Sequence, residues 1–136
     1  MSENNYKVIN SSNYENGKKS EDKVLKALSK YDAARPDRSD VLVRTKKDKR
    51  IYIEVKNLNS TSKEQRFQIN NHNLKNTFVD FYIFTLDHEI IKVLTKDEIS
   101  QFIKNKDAKR IKIPLNKIIG YAGISFRAFK EFLEEN

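Results

Sequence analysis

The chain has 136 residues with no cysteine and two histidines, and 27 Lys+Arg stand against 19 Asp+Glu for a net charge of +8. That length suits one domain, and an apolar fraction of 38% with eight Phe and six Tyr excludes global disorder. The lack of Cys excludes a disulfide scaffold, a cysteine-ligated zinc site, a Cys nucleophile and a thiol redox centre, and no stretch nears the roughly 18–20 apolar residues of a membrane span.

No apolar leader segment is read at the start, so a cytoplasmic protein without a membrane partner is expected. The positive balance points to a polyanionic partner. Residues 1–16 are polar and rich in Asn and Ser and read as a flexible arm ahead of a single domain over 17–136.

From Lys18 to Tyr31, Val24, Leu25, Leu28 and Tyr31 recur at helical spacing, with Glu21 and Asp22 early, where acids suit the helix dipole. Pro36 ends any helix behind it. Two β-prone runs follow, Val41–Val43 and Ile51–Val55, joined by a charged hairpin turn over Arg44–Arg50. Ser62–Asn76 is polar, with Phe67, Ile69 and Leu74 spaced for a modest helix. Phe78–Leu86 is the most hydrophobic run and reads as a buried central strand, and Glu89–Leu94 as another strand. Thr95 with Glu98 three residues on forms a capping box before Ile99, Phe102 and Ile103. Ile111–Leu115 alternates like an edge strand, since Pro114 cannot donate to a ladder. A helix with Phe126, Phe129, Phe132 and Leu133 closes the chain, with these rings as core or as the interface of a homodimer. The expected class is α/β: a central mixed sheet of four to five strands flanked by helices.

The chemistry concentrates around Glu54-Val55-Lys56. Residues two apart on a strand share a face, so Glu54 and Lys56 project together while Ile51, Ile53 and Val55 turn to the core. A hairpin centred near Lys47 pairs residues whose numbers sum to about 94, which sets Asp40 across from Glu54. Two carboxylates so close repel unless a cation lies between them, and Mg²⁺ held by hard oxygen ligands is the natural one, with Mn²⁺ able to take its place. Lys56 beside them could orient water or balance charge on a pentavalent phosphate. The basic turn Arg44, Lys46, Lys47, Lys49 and Arg50, with Lys18 and Lys19, reads as a phosphate-tracking surface. A solvated hairpin tip and a strand-face ion pair are the plainer readings of the same residues.

Asp40, thirteen residues, then Glu54-Val55-Lys56, behind an acid-bearing helix, resembles the PD-(D/E)xK nuclease superfamily over roughly residues 18–95. Pro36-Asp37 spells the motif's letters, yet Asp40 opens the strand and is the better ligand. The resemblance implies a restriction-endonuclease-like core, Mg²⁺-dependent hydrolysis of DNA, and no small-molecule cofactor. It adds Glu21 to Asp40 and Glu54 as a metal ligand, and Gln68, on the helix expected after the lysine, to the catalytic set of Glu21, Asp40, Glu54 and Lys56. His72 lies one turn after Gln68, where some subfamilies have a Tyr. Holliday-junction resolvases of the archaeal type, likewise small, basic and dimeric, are similar, although their serine-glycine signature is lacking; a restriction-type enzyme shares the core. The alternatives are a non-catalytic nucleic-acid-binding module, a toxin-type nuclease acting on RNA, and a partner-binding protein whose charge serves solubility.

Overall fold

The computed structural model describes residues 17–71, 79–105 and 107–136. Helix α1 covers residues 17–27 and runs into a 3-10 turn, Ser29–Tyr31, which stops on Asp32 in the left-handed conformation (φ 53°), ahead of Pro36. Six strands follow, β1 (Val41–Arg44), β2 (Arg50–Leu58), β3 (Arg66–Asn70), β4 (Phe81–Leu86), β5 (Glu89–Thr95) and β6 (Arg110–Pro114). Three helices complete the chain, α2 (Lys96–Ser100), α3 (Leu115–Gly120) and α4 (Phe126–Glu135). The fold is therefore α/β. The expected N-terminal arm, His72, Leu74 and Phe78 lie outside the described residues.

The main sheet has the order β1-β2-β4-β5, with β2 and β4 parallel and both outer pairs antiparallel. Val41 pairs with Ile53 and Arg44 with Arg50, the hairpin register expected from the position of the charged turn. β4 is interior and buried over Phe81–Thr85, as its unbroken apolar run requires of a strand covered on both faces. Its alternation sorts two cores. Phe81 and Ile83 join Ile53, Val55, Val24 and Leu28 of α1 and Phe129 and Leu133 of α4 on one face. Tyr82 and Phe84 join Phe67, Ile69, Ile111 and Ile113 on the other.

Of the helix expected over Ser62–Asn76, residues 72–76 lie outside the described residues, and the stretch holding Phe67 and Ile69 is a strand. Residues 66–70 are strand β3, paired antiparallel with β6 in a separate two-stranded sheet that covers the second face. Phe67 and Ile69 are buried and Arg66, Gln68 and Asn70 exposed, so the period is two. Phe67 and Ile69 alternate with polar neighbours, a strand pattern that prevails over their helical spacing to Leu74 in the sequence. The edge strand expected at Ile111 is β6, and its Pro114 lies opposite Arg66 at the end of the ladder.

Two caps match the sequence. Thr95 Oγ1 accepts the Glu98 N–H at 3.1 Å while Glu98 Oε1 accepts the Thr95 N–H at 2.9 Å. Ser125 caps α4 through the Ala128 N–H. The phenylalanines of α4 turn inward: the Phe81 ring meets Phe129 at 4.9 Å and Phe132 at 5.5 Å. Phe129 and Leu133 are buried in the chain's own core, and Phe126 and Phe132, half-buried, pack against it.

Candidate functional site

β1 begins only at Val41, opposite Ile53, while β2 runs on past that point to Leu58. Where the pairing ends, the Asp40 N–H donates to the Ile53 carbonyl at 3.2 Å, and Asp40 Oδ2 accepts the Val55 N–H at 2.8 Å. The carboxylate thus replaces the next residue of β1, which holds it at the rim of the sheet. Asp37 is exposed on the preceding loop, so of the two aspartates Asp40 is the one built into the hairpin.

Packing of Val24 and Leu28 against Ile53 and Val55 brings the first turns of α1 to this rim. The Glu21 carboxyl meets that of Asp40, and burial together with the Asp40 charge pushes its pKa from 4.5 up to about 7. Burial also raises the Asp40 pKa, against the pull of the Val55 N–H, the Lys56 and Arg35 charges and the Glu21 hydrogen bond. Burial and the facing carboxyls thus favour the neutral form at this pair. Arg35, which also pairs with Asp22, brings positive charge to both. Sequence reasoning missed Arg35; its only signal was a cation next to Pro36-Asp37.

Glu54 and Lys56 lie on the opposite face of β2, with Glu54 7% exposed. The Lys56 ammonium is 3.9 Å from Glu54 Oε1. In the parallel register Glu54 lies beside Tyr82, and burial and then the Glu54 charge hold that phenol protonated far above the usual tyrosine range. Lys56 faces Glu54 directly, and its charge reaches Asp40. Glu21, Asp40, Glu54 and Lys56 therefore gather at one rim of the sheet, in two halves. Among the described residues, no three His, Cys, Asp or Glu side chains stand close enough together to hold a metal ion.

The remaining expected residues lie elsewhere. Gln68 is on the exposed face of β3, opposite Lys112, not on a helix beside Lys56. Lys18 and Lys19 are exposed on α1. Lys46, Lys47, Lys49 and Arg50 are exposed at the far end of the hairpin, and Arg44 pairs with Asp48 at 3.0 Å. Arg44 lies four residues on from Asp40 along β1, roughly 14 Å at ~3.4 Å per residue, so the basic tip does not adjoin the carboxylates.

A buried polar network locks the start of α1 over the carboxyl ends of β2 and β4. Ser20 Oγ lies 2.6 Å from His88 Nδ1, and Thr85 Oγ1 lies 3.3 Å from Ser20 Oγ and 2.7 Å from Asn57 Oδ1, which also accepts the His88 N–H at 3.0 Å. With Ser20 fully buried, Glu21 is fixed next to it. Among the described residues no helix is long and apolar enough to cross a membrane. The chain matches no family model, no curated protein and no solved structure.

Proposed function

We propose that the protein is a Mg²⁺-dependent endonuclease of the PD-(D/E)xK type that hydrolyses DNA phosphodiesters, on a restriction-endonuclease-like core. The observation that carries this reading is the close carboxyl pair Glu21 and Asp40, at the same rim of the sheet as Glu54 and Lys56 on β2. Two carboxyls pressed together in a partly buried rim disfavour each other's charge, and a divalent ion suits the same hard oxygens. Asp40 and Glu21, the carboxyls that stand together, would supply the first ligands, and Glu54, on the other half of the rim, would have to be drawn in to complete the set. Mg²⁺ when bound supplies Lewis acidity to the phosphate and lowers the pKa of water. Lys56 orients the attacking water and offsets charge on the pentavalent phosphate, and Arg35 adds positive charge at the same rim.

The protein should be incubated with four-way-junction, duplex and single-stranded DNA, and with RNA, with Mg²⁺ and with EDTA. Metal-dependent cleavage that is lost in Glu54→Ala and Lys56→Ala, both with native circular dichroism, is the expected result. Unchanged cleavage in both variants sinks the assignment. RNA cleavage alone would make it a ribonuclease of toxin type. The separation of Glu54 from the Glu21–Asp40 pair favours a second reading, a non-catalytic nucleic-acid-binding module; salt-sensitive binding without cleavage of any substrate would select it.

A further inference from the structure

The sheet of β3 and β6 carries a feature separate from the carboxylates. Its inner face is apolar, with Phe67, Ile69, Ile111 and Ile113 buried. Its outer face carries Arg66, Gln68, Arg110 and Lys112, all exposed. Over its rim runs an open groove of about 450 Å³, lined by Arg66, Lys104, Arg110, Lys112 and Lys117 and by no acidic residue. A chain with 19 acids has many with which to neutralise such a cluster. Among the described residues, the acid paired with this cluster is Glu64, 3.6 Å from Lys112, in an exposed pair of the kind worth a few tenths of a kcal/mol.

We infer that this groove binds the phosphate backbone of a nucleic acid. The cations come from both strands, from the segment after α2 and from α3, so they form a spread surface and not one pocket around a single anion. Arg110 and Lys112 are two residues apart on one face, which repeats positive charge every ~7 Å along β6 and matches a polymer of charges. Phe102 in the lining is half-buried and packs on Tyr121 at 5.4 Å, so its ring is not presented as a platform for bases. The groove therefore reads backbone, not sequence. It lies on the layer that covers the face of the main sheet bearing Glu54 and Lys56. The inference needs no catalysis, so it stands or falls apart from the nuclease reading.

The test is fluorescence anisotropy with labelled single-stranded and duplex 20-mers of DNA and RNA, in EDTA, between 50 and 200 mM salt. An Arg66→Gln/Arg110→Gln/Lys112→Gln protein should bind at least tenfold more weakly, with a salt slope reduced by about 2–3, each lost duplex phosphate contact removing about 0.9. A Lys46→Gln/Lys47→Gln/Lys49→Gln protein, altered at the hairpin tip, should keep most of its affinity. If the triple variant melts early, Lys104→Gln/Lys117→Gln, both exposed, should reduce the slope by about 2. Wild-type affinity and slope in both groove variants overturn the inference, as does wild-type binding to anionic phosphatidylserine vesicles but to no oligonucleotide. Groove-dependent binding without Mg²⁺-dependent cleavage upholds it and removes the nuclease reading alone.

Discussion

Replacing Glu21 by Gln should stabilise the protein at pH 8 without metal while removing metal binding. The folded protein raises the Glu21 pKa from 4.5 to about 7 because burial and Asp40 disfavour its charge. An acid whose pKa is raised on folding contributes its full stability below the unfolded value and loses it as pH climbs through the folded one. The difference of about 2.5 corresponds to at most about 3.4 kcal/mol at 1.36 kcal/mol per tenfold step in proton affinity. Glu21 is only half-buried, so solvent screening reduces this to about 1–2 kcal/mol. Glutamine keeps a donor for Asp40 and cannot ionise. In EDTA, urea denaturation should therefore find Glu21→Gln more stable than wild type by about 1–2 kcal/mol at pH 8, with the gap closing by pH 4.5. In thermal melts each kcal/mol corresponds to roughly 3–5 °C for a domain of this size. Mg²⁺ at ten times its Kd should restore about 1.4 kcal/mol to wild type and little to the variant. A variant no more stable than wild type at pH 8 in EDTA refutes the contact between the two carboxyls.

Four substitutions test the scaffold. Gly123 has φ 41°, and a Cβ there would lie 2.8 Å from Leu94 Cδ2 and 3.2 Å from the Val93 carbonyl, so Gly123→Ala should cost about 1–3 kcal/mol in urea denaturation. Asn57→Ala takes the acceptor from the His88 N–H and the shortest partner from the Thr85 hydroxyl, and should cost about 1–2 kcal/mol and loosen α1, read as faster amide exchange along it. Thr95→Ala removes half of the α2 capping box and should cost about 1 kcal/mol by the same denaturation assay. Burial, and next Lys19 and Lys23, lower the His88 pKa from 6.5, so the folded protein binds fewer protons than the unfolded chain and loses stability as pH falls through 6.5. His88→Asn, which tolerates the positive φ of 69°, should flatten that acid slope in melts taken between pH 7.5 and 5.

Where local pattern and tertiary demand agreed, the elements were legible in advance. The register of β1 and β2 followed from the centre of a charged turn, and the α2 capping box from Thr95 and Glu98. The burial of β4 followed from its apolar run. β3 was not legible because its partner β6 lies some forty residues on, and a five-residue amphipathic strand has no local turn to announce its pairing. The inward turn of Phe129 and Phe132 was open for a similar reason: an amphipathic helix shows that one face will be covered, not by what.

The site was legible as a list of residues more than as an arrangement, and the geometry of β2 explains the difference. Opposed residues of a hairpin share a face, so pairing arithmetic set Asp40 and Glu54 side by side. That rule holds while the ladder continues. Asp40 stands just before β1 begins, and its side chain turns toward the chain of β2 to accept the Val55 N–H that no further β1 residue can take. This swing carries the carboxylate toward α1, where Glu21 meets it, while Glu54 stays on the face with Lys56 and Tyr82. Lys56 is then a cation acting on both halves, at 3.9 Å from Glu54 and through its charge on Asp40. An ion bridging the halves would have to compete with Lys56 for Glu54 and with the Val55 N–H for Asp40. Lys56→Met should accordingly strengthen Mg²⁺ binding in calorimetry even as it removes cleavage, whereas a lysine that only screened phosphate would leave metal affinity unchanged.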